Sequence, residues 1–439
     1  MISPANLVLL TDVLLVLSAG VLVTLQREAA ALATACAAGI LVVWQLILFS
    51  TTPQASRNLR LEPNIRAPHY VQMAMHACLY GYWGLYWNEV WPQLPLIFTQ
   101  ILFAYGLGML VAWSRHGVYK LGFGEIPIVF STNLFLWFRD PYFILQYALV
   151  ACMVLSKEYL TWNWNGRRRH IFNPSAGALT IASLLLIAGN QVDISRAVDI
   201  VGSFELPPNY LEVIFLVGLV VQILFKTTWV TCGAVVALEV LHQLGLWVTG
   251  APLGPTAIDP AVFLGTTLLV TDPATSPATR TGKFLFGVAY GAGVFFLCIA
   301  LRFMYQPGVF DKMLVVPVVN LLAPWFDRIA VRIVPYGNAL ALRASGEFAS
   351  RWAPVGIYAG LFLFILPGLK THDFRPGPLP PPAVNFSPSV ALKLLKCDSC
   401  RQTVPEVFQP FGFVAEYQES RSIRDFYNKD PYKTRSSSR

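Results

Sequence analysis

Long apolar runs separated by short polar loops dominate the chain. Runs long enough to cross a hydrocarbon core of ~30 Å fall at 6–25, 29–49, 70–91 and 94–113. Two shorter runs, 126–138 and 142–155, are split by Arg139-Asp140-Pro141, a spacing that predicts a tight hairpin or a re-entrant element. Further runs follow at 174–188, 210–225, 228–248, 261–270, 284–303, 313–326 and 352–369. This pattern predicts roughly ten to thirteen membrane segments, with the first run kept as a helix because no basic region precedes it.

Two stretches interrupt the pattern in related ways. His170-Ile171-Phe172-Asn173-Pro174-Ser175-Ala176-Gly177 and Val270-Thr271-Asp272-Pro273-Ala274-Thr275-Ser276-Pro277 each set a small polar residue and a proline where an apolar run begins or breaks. Backbone groups freed from a helix in hydrocarbon must find another partner, so such breaks persist where they are buried in protein or line a cavity. Paired interruptions in two halves of a chain point to a binding site. Asp272 is an ionisable group at the edge of an apolar run, which is a functional-site hypothesis in itself. A structural reading stands beside it, in which Asp272 caps a short helix opened by Pro273.

Composition agrees with the membrane reading. Of 439 residues, 55% are hydrophobic and only 13% charged, against about 25% charged in ordinary soluble domains. The net charge of +8 sits in short clusters between the runs, which suits membrane topogenesis better than nucleic acid. Arg57, Arg60 and Arg66 form one cluster, Lys157 with Arg167, Arg168 and Arg169 a second, and Arg328, Arg332, Arg343 and Arg351 a third. These loops are expected to face the cytoplasm, and the alternate loops near 89–95, 191–208 and 250–260 the other side. Tyr80, Tyr82, Trp83, Tyr86, Trp87 and Trp91 read as interfacial anchors.

Candidate chemistry outside the breaks is sparse. There is no phosphate loop, nucleotide-binding glycine fingerprint or His-Glu-x-x-His run. Cys36, Cys78, Cys152, Cys232 and Cys298 stand singly in apolar runs as small packing residues. Cys397 and Cys400 have redox-motif spacing, but in a tail without a βαβ pattern they read as thiols, a disulfide or half of a metal clip. His76 and His242 lie within membrane runs, where interhelical hydrogen bonding is a commoner role than haem ligation.

The two interrupted stretches, with Asn320-Leu321-Leu322-Ala323-Pro324-Trp325-Phe326-Asp327 and the connecting Gly282-Lys283-Phe284-Leu285-Phe286-Gly287, resemble the NqrB/RnfD family. These are the B subunit of sodium-pumping NADH:quinone reductase and the D subunit of the Rnf complex. The resemblance covers roughly 60–330. It implies an all-α polytopic fold with about ten core transmembrane helices in two inverted repeats with broken segments, plus extra terminal helices. The expected organisation is N-terminal helices over 1–59, the membrane core over 60–330, a loop and final segment over 331–370, and a Pro-rich linker and polar tail over 371–439.

The resemblance further implies a subunit of an electron-transport complex in a bacterial inner membrane, with other subunits, lipid and quinone as partners. Family members commonly carry FMN, esterified to the last threonine of a Ser/Thr-Gly-Ala-Thr motif. The matching stretch here is Val248-Thr249-Gly250-Ala251-Pro252, with proline in the acceptor position. The expectation is therefore FMN or riboflavin held noncovalently, near Asn173, Thr249, Thr271 and Asp272, and no covalent flavin. Two other readings remain open on the sequence. One is a structural anchor that has lost the flavin, and the other is a channel or transporter on the same scaffold.

Overall fold

The computed structural model describes residues 4–51, 59–115, 117–164, 166–250, 252–333 and parts of 352–363. The tail with Cys397 and Cys400, and most of the 331–370 segment, lie outside the described residues. The chain is a bundle of helices: α1 (Pro4–Thr24), α2 (Glu28–Thr51), α3 (Ala67–Tyr86), α4 (Val90–Arg115), α5 (Glu125–Asn133), α6 (Ile144–Tyr159), α7 (Pro174–Ala188), α8 (Ala197–Ser203), α9 (Tyr210–Phe225), α10 (Thr228–Thr249), α11 (Pro260–Leu264), α12 (Arg280–Phe303) and α13 (Asp311–Ile333). Among the described residues, six of these helices are long and apolar enough to cross a membrane, and three shorter apolar stretches, Pro174–Ala188, Tyr210–Phe225 and Pro260–Leu269, accompany them. The protein is a multi-pass membrane protein.

Strands are confined to loops. β1 (Arg60–Pro63) pairs in parallel with β2 (Val118–Leu121), and β3 (Thr161–Trp164) pairs antiparallel with β4 (Arg167–His170). Both small sheets sit at one end of the bundle, where Lys157 meets Glu125 at 2.7 Å and Arg115 meets Glu158 at 3.4 Å. The other end carries a second set of ion pairs, Arg27 with Asp140, Arg196 with Glu89 at 2.7 Å, and Arg139 with Asp199 at 3.5 Å. The first half of the bundle closes on an aromatic cluster. Trp87 and Trp137 stack at 5.1 Å, and Trp83 lies 5.3 Å from Trp137 and 5.0 Å from Phe204. This corrects the interfacial reading for two residues: Tyr80 and Trp83 are core side chains, whereas Trp91 is exposed. The buried rings pack against one another, and Trp83 Nε1 finds its acceptor inside, on Ser203 Oγ.

In the second half, α10 and α12 approach at backbone distance. A Cβ on Gly233 would collide with Phe284 O, and one on Gly287 or Gly291 with Val230 O or Ala234 O. Gly287-x-x-x-Gly291 thus serves as a small-residue contact that lets two membrane helices pack closely. Cys232 and Cys298 are buried as expected, but Cys36 and Cys78 face outward.

Candidate functional site

Helix α7 starts in the bundle interior, and its start is specified by one residue. Asn173 Oδ1 accepts from Ser175 N at 3.0 Å and Ala176 N at 3.4 Å, and Pro174 fills the first helical position, where no N–H is needed. The rest of Asn173 reaches outward. Its Nδ2 donates to Leu269 O at 2.7 Å, and its backbone N–H donates to Asn320 Oδ1 at 3.1 Å. One side chain therefore ties α7 to the end of the second broken segment and to α13.

That second segment is α11 followed by a π-turn over Gly265–Leu269. It begins with Asp259-Pro260, where Asp259 Oδ1 accepts from Ala261 N at 2.8 Å and Val262 N at 3.3 Å. Asn173-Pro174 and Asp259-Pro260 are thus the same cap built twice. The sequence pattern alone pairs Asn173-Pro174 with Asp272-Pro273 instead. The structure corrects this: no helix follows Pro273, and Asp272 closes a turn by accepting from Ala274 N at 3.0 Å. Asp272 lacks a helical turn to cap because Pro273 leads straight into the loop towards α12.

A π-turn and a helix end leave carbonyls without helical donors, and in a membrane each would cost several kcal/mol. Each is met here. Val270 N bonds Gly265 O, which leaves Thr266 O to accept from Thr231 Oγ1 of α10 at 2.7 Å. Thr267 O accepts from Thr271 Oγ1 at 2.6 Å, and Leu269 O from Asn173. Helix α13 has the same problem at its internal prolines. Pro317 supplies no N–H to Met313 O, and Thr180 Oγ1 of α7 donates to that carbonyl at 2.7 Å. Gly265 lies so close to Tyr290 OH that a Cβ would meet it at 2.7 Å.

Asp272 lies in the loop beyond this clasp. His170 Nε2, at the end of β4, approaches Asp272 Oδ2 at 2.9 Å, and Thr275 Oγ1 donates to the same oxygen at 3.2 Å. Burial pushes the Asp272 carboxyl up, but charge and hydrogen bonding from His170, with the bonds from Ala274 N and Thr275, outweigh it and hold the group below the usual carboxylate range. Farther along, Asp327 of α13 accepts from Ala278 N, Thr279 N and Thr279 Oγ1 at 2.7–2.9 Å, fixing the start of α12.

The structure thus brings Asn173, Thr271 and Asp272 into one region, together with His170 and Asn320. Thr249 stands apart at the end of α10, with Oγ1 donating to Gly245 O at 2.8 Å. Asn173, Thr271 and Asp272 spend their polar atoms within the protein. The open groups are on neighbours that stand inside the quoted motifs but are not among the candidate site residues: Asn320 Nδ2 and Ser276 Oγ are buried and, among the described residues, without a hydrogen-bond partner. The repetition of an Asx-Pro pair, and a proline in a helix opposite a threonine, were signals available for the missed residues Asp259 and Thr180. His76 and His242 each bond a backbone carbonyl, Gln72 O at 2.7 Å and Gly254 O at 3.4 Å.

Residues 205–334 match the family model described as the NQR2, RnfD, RnfE family, in keeping with an NqrB/RnfD-type membrane subunit. The matched region runs from just before α9 through α13, so it contains the broken segment, Asp272, Asn320 and Asp327. No solved structure matches the chain.

Proposed function

We propose that this chain is the membrane-embedded subunit of an electron-transport complex of the Nqr/Rnf type, seated in a bacterial inner membrane and working with other subunits and with quinone. The observation that carries the reading is the coincidence of the family match with the broken α11 segment and its clasp. A membrane protein keeps such a break where something other than simple spanning is required.

Covalent flavin does not fit this chain. Pro252 occupies the acceptor position, and the Thr249 hydroxyl is turned back onto its own helix. A noncovalent flavin, FMN or riboflavin, fits only in part. Asn173 and Thr271 are committed to the clasp and Asp272 to His170 and Thr275, so among the described residues of this region the donors left to meet an isoalloxazine carbonyl edge are Asn320 Nδ2 and Ser276 Oγ. Such a group supplies one-electron and hydride chemistry, and the protein's part is to hold it within range of its neighbours.

A second reading is supported by the closed pairing of the clasp: a structural subunit that keeps the scaffold without a flavin and anchors its partners. The two separate in one preparation. Complex purified with its partner subunits is read for flavin absorbance at about 450 nm and for fluorescence after acid release. Released flavin that co-purifies with this chain, and is lost in Asn320→Ala, supports the redox reading. Flavin-free chain within an active complex supports the anchor. A fluorescent band at the chain's own mass after denaturation would overturn the exclusion of covalent attachment.

A further inference from the structure

Asp12 is the one ionisable side chain of α1, and the Leu7–Thr24 stretch of that helix has the highest mean hydropathy of the six spanning helices, 2.4. At 1.5 Å per residue it lies roughly 12 Å from one end of the helix and roughly 18 Å from the other. The side chain does not face lipid. It belongs to the buried stripe Val8, Thr11, Asp12, Leu15, Ala19 and Leu22, and the residue is 2% exposed. Neither carboxyl oxygen has a hydrogen-bond partner among the described residues.

Among the described residues, the surroundings offer no counter-charge. Helices α2 and α4 pack against α1, and the three meet at Gly106, where an added Cβ would touch Leu41 of α2 and Thr11 of α1. The Thr11 hydroxyl is turned back to Val8 O at 2.6 Å. Glu28 is at the start of α2, and Cys36 faces outward. On α4, Tyr105 donates to Gly122 O at 2.6 Å, and Arg115 is at the far end with Glu158. A carboxylate in this seam would be charged, dry and unpaired, which hydrocarbon-like surroundings oppose strongly; the carboxylic acid is the form that the site accepts.

We propose that Asp12 is a proton-binding site of the membrane domain, a carboxyl that carries its proton at neutral pH in the α1–α2–α4 seam and exchanges it with water. Its ligand is the proton, and its position on α1 is outside the family-matched 205–334. An intramembrane acid without a structural bond is costly to keep, and reversible protonation is the chemistry that only an acid supplies there.

The test uses the full chain in membranes. N,N′-Dicyclohexylcarbodiimide, an apolar reagent, adds to a carboxylic acid and not to a carboxylate. The acid proton passes to one nitrogen, the carboxyl oxygen bonds the central carbon, and acyl migration to nitrogen gives an N-acylurea containing every atom of both reactants. At about pH 7, where a solvated aspartate is ionised, the expected result is an adduct on the peptide containing Asp12, absent from Asp12→Asn. Infrared spectra decide the matter independently of reagent entry. A carboxylic-acid C=O band that disappears in Asp12→Asn and shifts in D2O supports the proposal. A carboxylate band for Asp12, no Asp12-dependent acid band, or an acid band that never shifts in D2O would overturn it. Asp12→Leu is expected to melt no lower than the parent, since it removes an unpaired buried polar group. A clear loss of stability would assign Asp12 a structural role instead.

Discussion

Asn173 makes bonds that belong to two different jobs, and substitutions can separate them. Asn173→Ala removes the α7 cap, worth about 1 kcal/mol, and orphans Leu269 O at a further cost of about 1–3 kcal/mol. Asn173→Ser keeps a cap acceptor and loses the donor to Leu269 O, so its melting temperature in detergent should fall between those of the parent and the alanine variant. For Asp272 the sign of the pH effect follows from its lowered folded pKa. Its contribution is complete above the unfolded value near 3.8 and is lost as the pH falls below that, through the folded value. Melting curves across the acid range should show this loss in the parent and a flatter profile in Asp272→Asn. Elsewhere, Lys312 Nζ and Asp311 Oδ1 form a buried pair at 3.0 Å. Lys312→Met alone should cost about 3–5 kcal/mol by stranding the acid, while Lys312→Met with Asp311→Asn should recover most of it. Of these residues, Asn173 and Asp272 were legible in the sequence because proline follows each of them. Asp311, Lys312 and Asp12 were not, since burial and pairing of a charge depend on which helices meet, and no local pattern states that.

At the scale of elements, hydropathy located most helices closely. The runs 174–188 and 210–225 have the bounds of α7 and α9, because proline, glycine and polar loops punctuate them sharply. Less visible were the two-stranded sheets, which are too short and too charged for an alternating pattern to register, and the π-turn, whose i−5 bonding leaves no mark on periodicity. Nor does helix contact follow from apolarity alone. The α10–α12 contact depends on Gly233, Gly287 and Gly291 admitting backbone atoms. Gly287→Ala should push the two helices apart and cost about 1–3 kcal/mol, whereas Gly81→Ala on α3, where an added Cβ meets nothing within 4 Å, should leave the melting temperature unchanged or raise it. Equal losses at the two positions would remove the close-packing explanation.

For the whole molecule, the helix order places the β3–β4 hairpin and the loop after α7 at opposite ends of the bundle. By the distribution of basic clusters the hairpin end is expected to face the cytoplasm. With Cys36, Cys78, Cys397 and Cys400 replaced, a cysteine at Arg167 should react with a polar thiol reagent only from the cytoplasmic side, and one at Gln191 only from the other; reversed labelling would invert the orientation. Paired interruptions were legible in the sequence, but Asp259-Pro260, the capped counterpart of Asn173-Pro174, was masked by the more conspicuous Asp272-Pro273. Both have an acid before proline, and only the cap geometry distinguishes them.

The bond from Thr180 to Met313 O has an evolutionary consequence. Pro317 created the vacancy that this hydroxyl fills. Restoring an N–H at 317 would make the threonine redundant, and losing the threonine while the proline stays would strand a carbonyl. The two positions are therefore expected to drift together among descendants of this chain, as a lesion and its repair inherited jointly.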